Sequence, residues 1–203
     1  MERRTLLTGA GAALGGTTFL LGLGWWRVDG PGAARASEGS LLPRPLGEQG
    51  WRLTDHTGAA VRPQDWLGRP TLAFLGFTYC PDVCPLTLSD ISDWLAELGP
   101  DADRLNVAMI SVDPERDTPE VLAEYLANFD PRITGLTGDP AQVARALEDF
   151  RASAERIPAA EGEYTMNHTA GVFLFDADGR FANIIDFHED RAFVLPKIRR
   201  LLE

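Results

Sequence analysis

From residue 50 onward, short apolar blocks alternate with longer periodic stripes, a pattern that predicts strands alternating with helices. Leu72-Ala73-Phe74-Leu75 is the most apolar block and predicts a buried strand over 71–77. The stripe behind it predicts a helix over 85–98, with Leu86, Ile91, Leu95 and Leu98 turned inward. Pro85 falls in its first turn, where a missing N–H costs nothing. Further strands are predicted over 105–112, 133–136, 172–175 and 181–186, the last two joined through Asp178-Gly179. Helices are predicted over 118–129, capped by Thr118 before Pro119, over 139–150, opened by Asp139-Pro140, and over 189–202, kinked or restarted at Pro196. Residues 51–54 and 59–61 read as a hairpin around Thr57-Gly58. The order predicts an α/β domain over 48–203, a central mixed sheet with helices on both faces and an N-terminal hairpin extension. No internal repeat interrupts it.

Upstream the composition changes. Glu2-Arg3-Arg4-Thr5-Leu6-Leu7 has the form of a twin-arginine export signal, followed by an uncharged run of 22 residues, 5–26. At about 1.5 Å per residue that run is long enough to span a hydrocarbon core of about 30 Å, although its six glycines weaken the spanning case. Ala34-Arg35-Ala36 offers a small-x-small cleavage site. Residues 1–30 are therefore expected to be an export signal or membrane anchor, and 31–47 a flexible tether rich in Gly, Ala and Pro. Either fate exports the domain and leaves Arg3 and Arg4 inside.

The net charge of −11 becomes −13 without residues 1–36, which hold four arginines and two acidic residues, so that 15 basic and 28 acidic side chains remain. An acidic body argues against nucleic acid and anionic membrane surfaces as partners, and suits a basic protein partner or serves simply to keep the protein in solution.

The chemistry concentrates at Phe77-Thr78-Tyr79-Cys80-Pro81-Asp82-Val83-Cys84-Pro85, which holds both cysteines of the chain. A loop between a buried strand and a helix presents both sulfurs at the carboxyl edge of the sheet. Closing so short a loop removes little chain entropy, so the pair reads as a site and not a staple. Cys84 falls at a helix N-terminus, where partial positive charge favours thiolate. Thiolates here can attack a disulfide or hold a soft metal, and the spacing does not choose between them. Two sulfurs make a poor zinc site, whereas copper(I) accepts two thiolates and one imidazole. Of three histidines, His56 reads as a solvated hairpin residue and His188 as a capping or surface residue. His168 lies in a loop that runs into the apolar strand at Val172, and is the candidate third donor.

Three blocks give the chain a further likeness: Gly76-Phe77-Thr78-Tyr79-Cys80-Pro81-Asp82-Val83-Cys84-Pro85, Ser111-Val112-Asp113-Pro114-Glu115-Arg116-Asp117-Thr118-Pro119, and His168-Thr169 before Val172-Phe173-Leu174-Phe175-Asp176-Ala177-Asp178-Gly179. In content, order and spacing they resemble the Sco/SenC family of thioredoxin-like copper-binding proteins that help assemble cytochrome c oxidase. The order of elements is also what a thioredoxin-like sandwich requires. The resemblance implies that Cys80, Cys84 and His168 bind one copper ion, as Cu(I), Cu(II) or both. It departs at Asn167, where the family usually has Asp beside the ligand histidine. Together with the export segment it implies a monomeric chaperone on the periplasmic side of a bacterial inner membrane, anchored there or released by signal cleavage. Its partners would be the copper-bearing subunit of cytochrome c oxidase and a second copper chaperone as donor. A thiol:disulfide oxidoreductase that keeps the oxidase cysteines reduced is the alternative, with Cys80 as attacking sulfur.

Other signals fall away. Asp176-Ala177-Asp178-Gly179 starts like a calcium loop, yet Phe181 and Phe187 occupy ligand positions, so it predicts a turn. Asp113-Pro114-Glu115-Arg116-Asp117 reads as a solvated turn with helix-capping duties, with a docking role left open.

Overall fold

The computed structural model describes residues 41–203. The export segment expected over 1–30 lies outside the described residues, as does most of the tether. Among the described residues no helix is long and apolar enough to cross a membrane. Leu46 is fully buried in the core and the Arg44 N–H donates to the Asp149 carbonyl, so packed chain begins by residue 44, ahead of the expected boundary at 48.

Nine strands follow: β1 Leu53–Asp55, β2 Ala60–Val61, β3 Thr71–Gly76, β4 Asn106–Ser111, β5 Ile133–Thr137, β6 Ala154–Pro158, β7 Tyr164–His168, β8 Val172–Phe175 and β9 Phe181–Ile185. The helices are α1 Val83–Leu98, α2 Pro119–Leu126, α3 Pro140–Phe150 and α4 Arg191–Leu201. Seven strands form one sheet in the order β2-β1-β5-β4-β3-β8-β9, with β3, β4 and β5 parallel and the outer pairs antiparallel. Every residue of β3 and β8 is buried, which requires cover on both faces of the sheet. The ring of Phe150 in α3, for example, stands edge-on to Phe173 and Phe175 of β8 at 5.2 and 5.6 Å. This is the expected α/β sandwich of thioredoxin-like form. The N-terminal hairpin joins its edge, β1 pairing with β5 through Thr54↔Thr137.

Local sequence explains the helix starts. Thr118 Oγ1 accepts from the Val121 N–H ahead of Pro119, and Asp139 and Asp190 accept from Ala141 and Ala192. Helix α1 begins two residues earlier than expected, at Val83, and its buried stripe is Cys84, Leu88, Ile91, Leu95 and Leu98. Leu86, expected inside, is 43% exposed. Five residues separate it from Ile91, which at 3.6 residues per turn places it about 140° away around the helix.

Two further expectations fail here. The segment 164–168, read as loop, pairs with 154–158, for which no element was predicted, as the antiparallel ribbon β6–β7, a separate two-stranded sheet. Strand β6 is mostly exposed and carries no apolar alternation to read, whereas β7 does alternate, with Tyr164, Met166 and His168 half-buried and Thr165 and Asn167 exposed. The supposedly solvated turn at 113–117 is anchored inside the protein, with Asp113 2% and Asp117 0% exposed.

Candidate metal centre

The sheet register brings the three sequence blocks to one edge. Gly76 and Ser111 end the parallel strands β3 and β4 side by side, while Val172 begins the antiparallel β8 opposite Phe74. The cysteine loop, the 113–117 loop and the His168 segment therefore meet beyond the same strand ends. Asp117 ties the first two together. Its carboxylate accepts from Thr78 Oγ1 at 2.6 Å, from the Thr78 N–H at 3.2 Å and from Ser111 Oγ at 2.5 Å. Burial pushes the Asp117 carboxyl up, against the hydrogen bonds from Ser111 and Thr78 that favour its charged form.

Within the loop the Cys80 N–H donates to the Phe77 carbonyl, and the Cys84 N–H points at Cys80 Sγ, 3.4 Å away. Both cysteines are free thiols; Cys80 is half-buried and Cys84 fully buried. Burial pushes the Cys84 thiol strongly up, with only partial relief from the Phe77 backbone amide. The thiolate expected from the helix N-terminus is therefore not the resting form of Cys84. Desolvation outweighs the helix end.

His168 closes β7, and its Nε2 stands 3.6 Å from Cys84 Sγ. Its Nδ1 lies 2.9 Å from the Thr169 carbonyl oxygen. A carbonyl only accepts, so Nδ1 carries the proton and the Nε2 lone pair faces the sulfur. Burial lowers the imidazole pKa, partly offset by the bond to Thr169, which keeps the ring neutral at physiological pH. The Phe77 ring stands edge-on to the imidazole at 5.7 Å and 87°. Asn167, next in sequence, is exposed and pairs with Glu155; alternation along β7 turns it to the face opposite His168. The imidazole is thus oriented by a backbone carbonyl and not by the neighbouring side chain.

Among the described residues no three His, Cys, Asp or Glu side chains stand already closed at chelating distance. Two thiols and a neutral imidazole are nonetheless gathered at one edge, a donor set that suits a soft cation. His56 lies elsewhere, its Nδ1 accepting from the Gly135 N–H at 2.9 Å, a structural tie to β5. His188 is exposed beside the Phe187 ring. Sequence reading missed the supporting residues Thr78, Asp117, Arg116, Tyr79 and Tyr164. Thr78 and Tyr79 lie within the cysteine block and Arg116 and Asp117 within the 113–117 block, whereas Tyr164 lies outside both.

The chain is 37% identical over 146 residues to the mitochondrial SCO2 homolog of Danio rerio, covering 70% of this chain and 51% of that protein, so it spans about half that relative's length. Among solved structures it resembles ScoI of Bradyrhizobium japonicum with copper bound, at 42% identity and a TM-score of 0.71 over 79% of this chain and 99% of that one. Yeast Sco1 with copper bound gives 31% identity and a TM-score of 0.69, over 78% of this chain and 87% of that one. The SCO1/SenC family model matches residues 42–203, the whole of the domain that carries the two cysteines and His168, and the chain belongs to that family.

Proposed function

We propose that the protein is a copper chaperone. It binds one copper ion through Cys80, Cys84 and His168 and hands it to the dinuclear copper centre of cytochrome c oxidase during assembly. The observation that carries this reading is the Cys84–His168 contact: Nε2, held as a lone-pair donor by Thr169, faces a buried sulfur at 3.6 Å. A purely redox dithiol has no need of that imidazole. Copper bound to a relative as similar as ScoI of B. japonicum supports the same reading. Copper is cargo here, and three ligands leave an edge open for its transfer. Cys80 is the more accessible of the two sulfurs.

The reading places the domain outside the cytoplasm, on the periplasmic side of a bacterial inner membrane, tethered or released, with a second chaperone as copper source. Cells whose only copy carries His168→Ala should lose most of the copper in the oxidase and its activity, with the variant protein present at normal level. Full oxidase copper in those cells contradicts the reading.

The second reading is a thiol:disulfide oxidoreductase, favoured by the closeness of the two thiols, the Cys84 N–H being directed at Sγ of the more exposed Cys80 at 3.4 Å. Cys80 would attack a partner disulfide and release one partner thiolate. Cys84 would then resolve the mixed disulfide, leaving Cys80–Cys84 oxidised and the partner reduced by two electrons. On this reading His168→Ala spares most of the exchange activity.

A further inference from the structure

The ribbon β6–β7 shares no strand with the main sheet, and a hairpin of two strands is marginal in water by itself. Ala154 and Met166 pack against the core, but most of the ribbon is exposed. His168 thus ends an element whose position has to be fixed by contacts elsewhere.

Arg116 supplies them at the other end of β7. Its Nη1 donates to the Tyr164 carbonyl at 3.1 Å, and its Nε donates to Asp113, which also accepts the Tyr164 hydroxyl at 2.8 Å. The guanidinium carbon lies 3.7 Å from the centroid of the Tyr164 ring and 4.5 Å from that of Tyr79. Tyr79 is the chain neighbour of Cys80, and Tyr164 opens the strand that His168 closes. Arg156 of β6 lies over the same Tyr164 ring at 3.9 Å and pairs with Glu115 at 2.6 Å. Arg116 Nη2 is buried without a hydrogen-bond acceptor. Ring faces compensate such a donor only where the guanidinium is held flat against them.

We propose that Arg116 is a positioning residue that holds the His168 ribbon against the cysteine loop, through Tyr164 on one side and Tyr79 on the other. Its consequence for metal rests on the copper reading above; its geometry does not. Arg116 touches no donor atom and acts only through the placement of His168.

The test uses the purified, reduced full chain with Arg116→Met and, should that variant fold poorly, Arg116→Lys, which keeps the charge and loses the planar fork. Amide hydrogen exchange of the metal-free protein reads the latch directly. Exchange over 154–168 should rise while β3 and β4 stay protected. Unchanged exchange in the ribbon overturns the proposal. Copper titration supplies the second readout: Arg116→Met should weaken binding by about tenfold, as loss of a supporting contact does. In a His168→Ala background the same change should cost less than about twofold, because the ligand it places is gone. Equal weakening in both backgrounds makes Arg116 a general structural residue and sinks the proposal. If the unaltered chain binds no copper, the copper reading falls, and the exchange result still decides the latch.

Discussion

At Cys84 two opposing effects meet, and their sizes decide the outcome. A helix N-terminus is worth about 0.3–1 kcal/mol to an anion, less than one pKa unit. Burial of a titrating group moves it by up to about 3–5 units, and Cys84 is fully buried. Its proton must leave when a metal takes the sulfur, whereas the His168 imidazole, lowered from 6.5, holds none at Nε2 above that pH. Copper affinity should therefore rise with pH through the neutral range, by about tenfold per pH unit for each thiol proton released. Competition titrations across that range measure it. A profile independent of pH contradicts thiol ligation. The three candidate donors stand out in the sequence because Cys and His are rare here and sit beside apolar blocks. Their protonation was not, because burial at the start of a helix depends on what folds over it.

At the scale of elements, legibility followed burial. Strands β3, β4 and β8 sit inside the sheet and announce themselves as apolar runs. The ribbon β6–β7 and the 113–117 loop carry the site's supports, and beyond the short alternation of β7 their order comes from hydrogen bonds and ring faces that leave no periodic trace. Leu86 departs in the opposite sense: it is apolar, but its angle to Ile91 turns it outward. The turn before β5 shows a smaller tie of the same polar kind. Arg132 forks onto Asp130, Nη2 to Oδ2 at 2.7 Å and Nε to Oδ1 at 2.8 Å. The hydrogen bond from Arg132 holds the Asp130 carboxyl below its ordinary 3.8. A carboxyl lowered in the folded state stabilises it above pH 3.8, and that contribution fades as pH falls through the folded value. Asp130→Asn should cost about 1 kcal/mol at neutral pH, since Arg132 is partly solvated. Urea unfolding at descending pH should show the gap between variant and parent closing in acid. A gap that stays constant shows that charge is not what the pair contributes.

For the molecule as a whole, the sheet does the assembling. Three blocks distant in sequence meet because β3 and β4 end in parallel while β8 starts antiparallel beside them. The strongly apolar strands of a sheet covered on both faces make that much legible from the chain alone. The same arrangement leaves Cys80 and His168 half-buried and Cys84 fully buried. The acidic body, −13 beyond residue 36, favours a basic face on whichever partner approaches that edge. The most direct measurement is an anaerobic copper titration of the reduced chain beside Cys80→Ser, Cys84→Ser and His168→Ala. Copper should bind tightly and one to one, be lost in either serine variant and weaken without the imidazole. Weak binding, or binding indifferent to His168, would leave a redox dithiol and contradict copper delivery through these three residues.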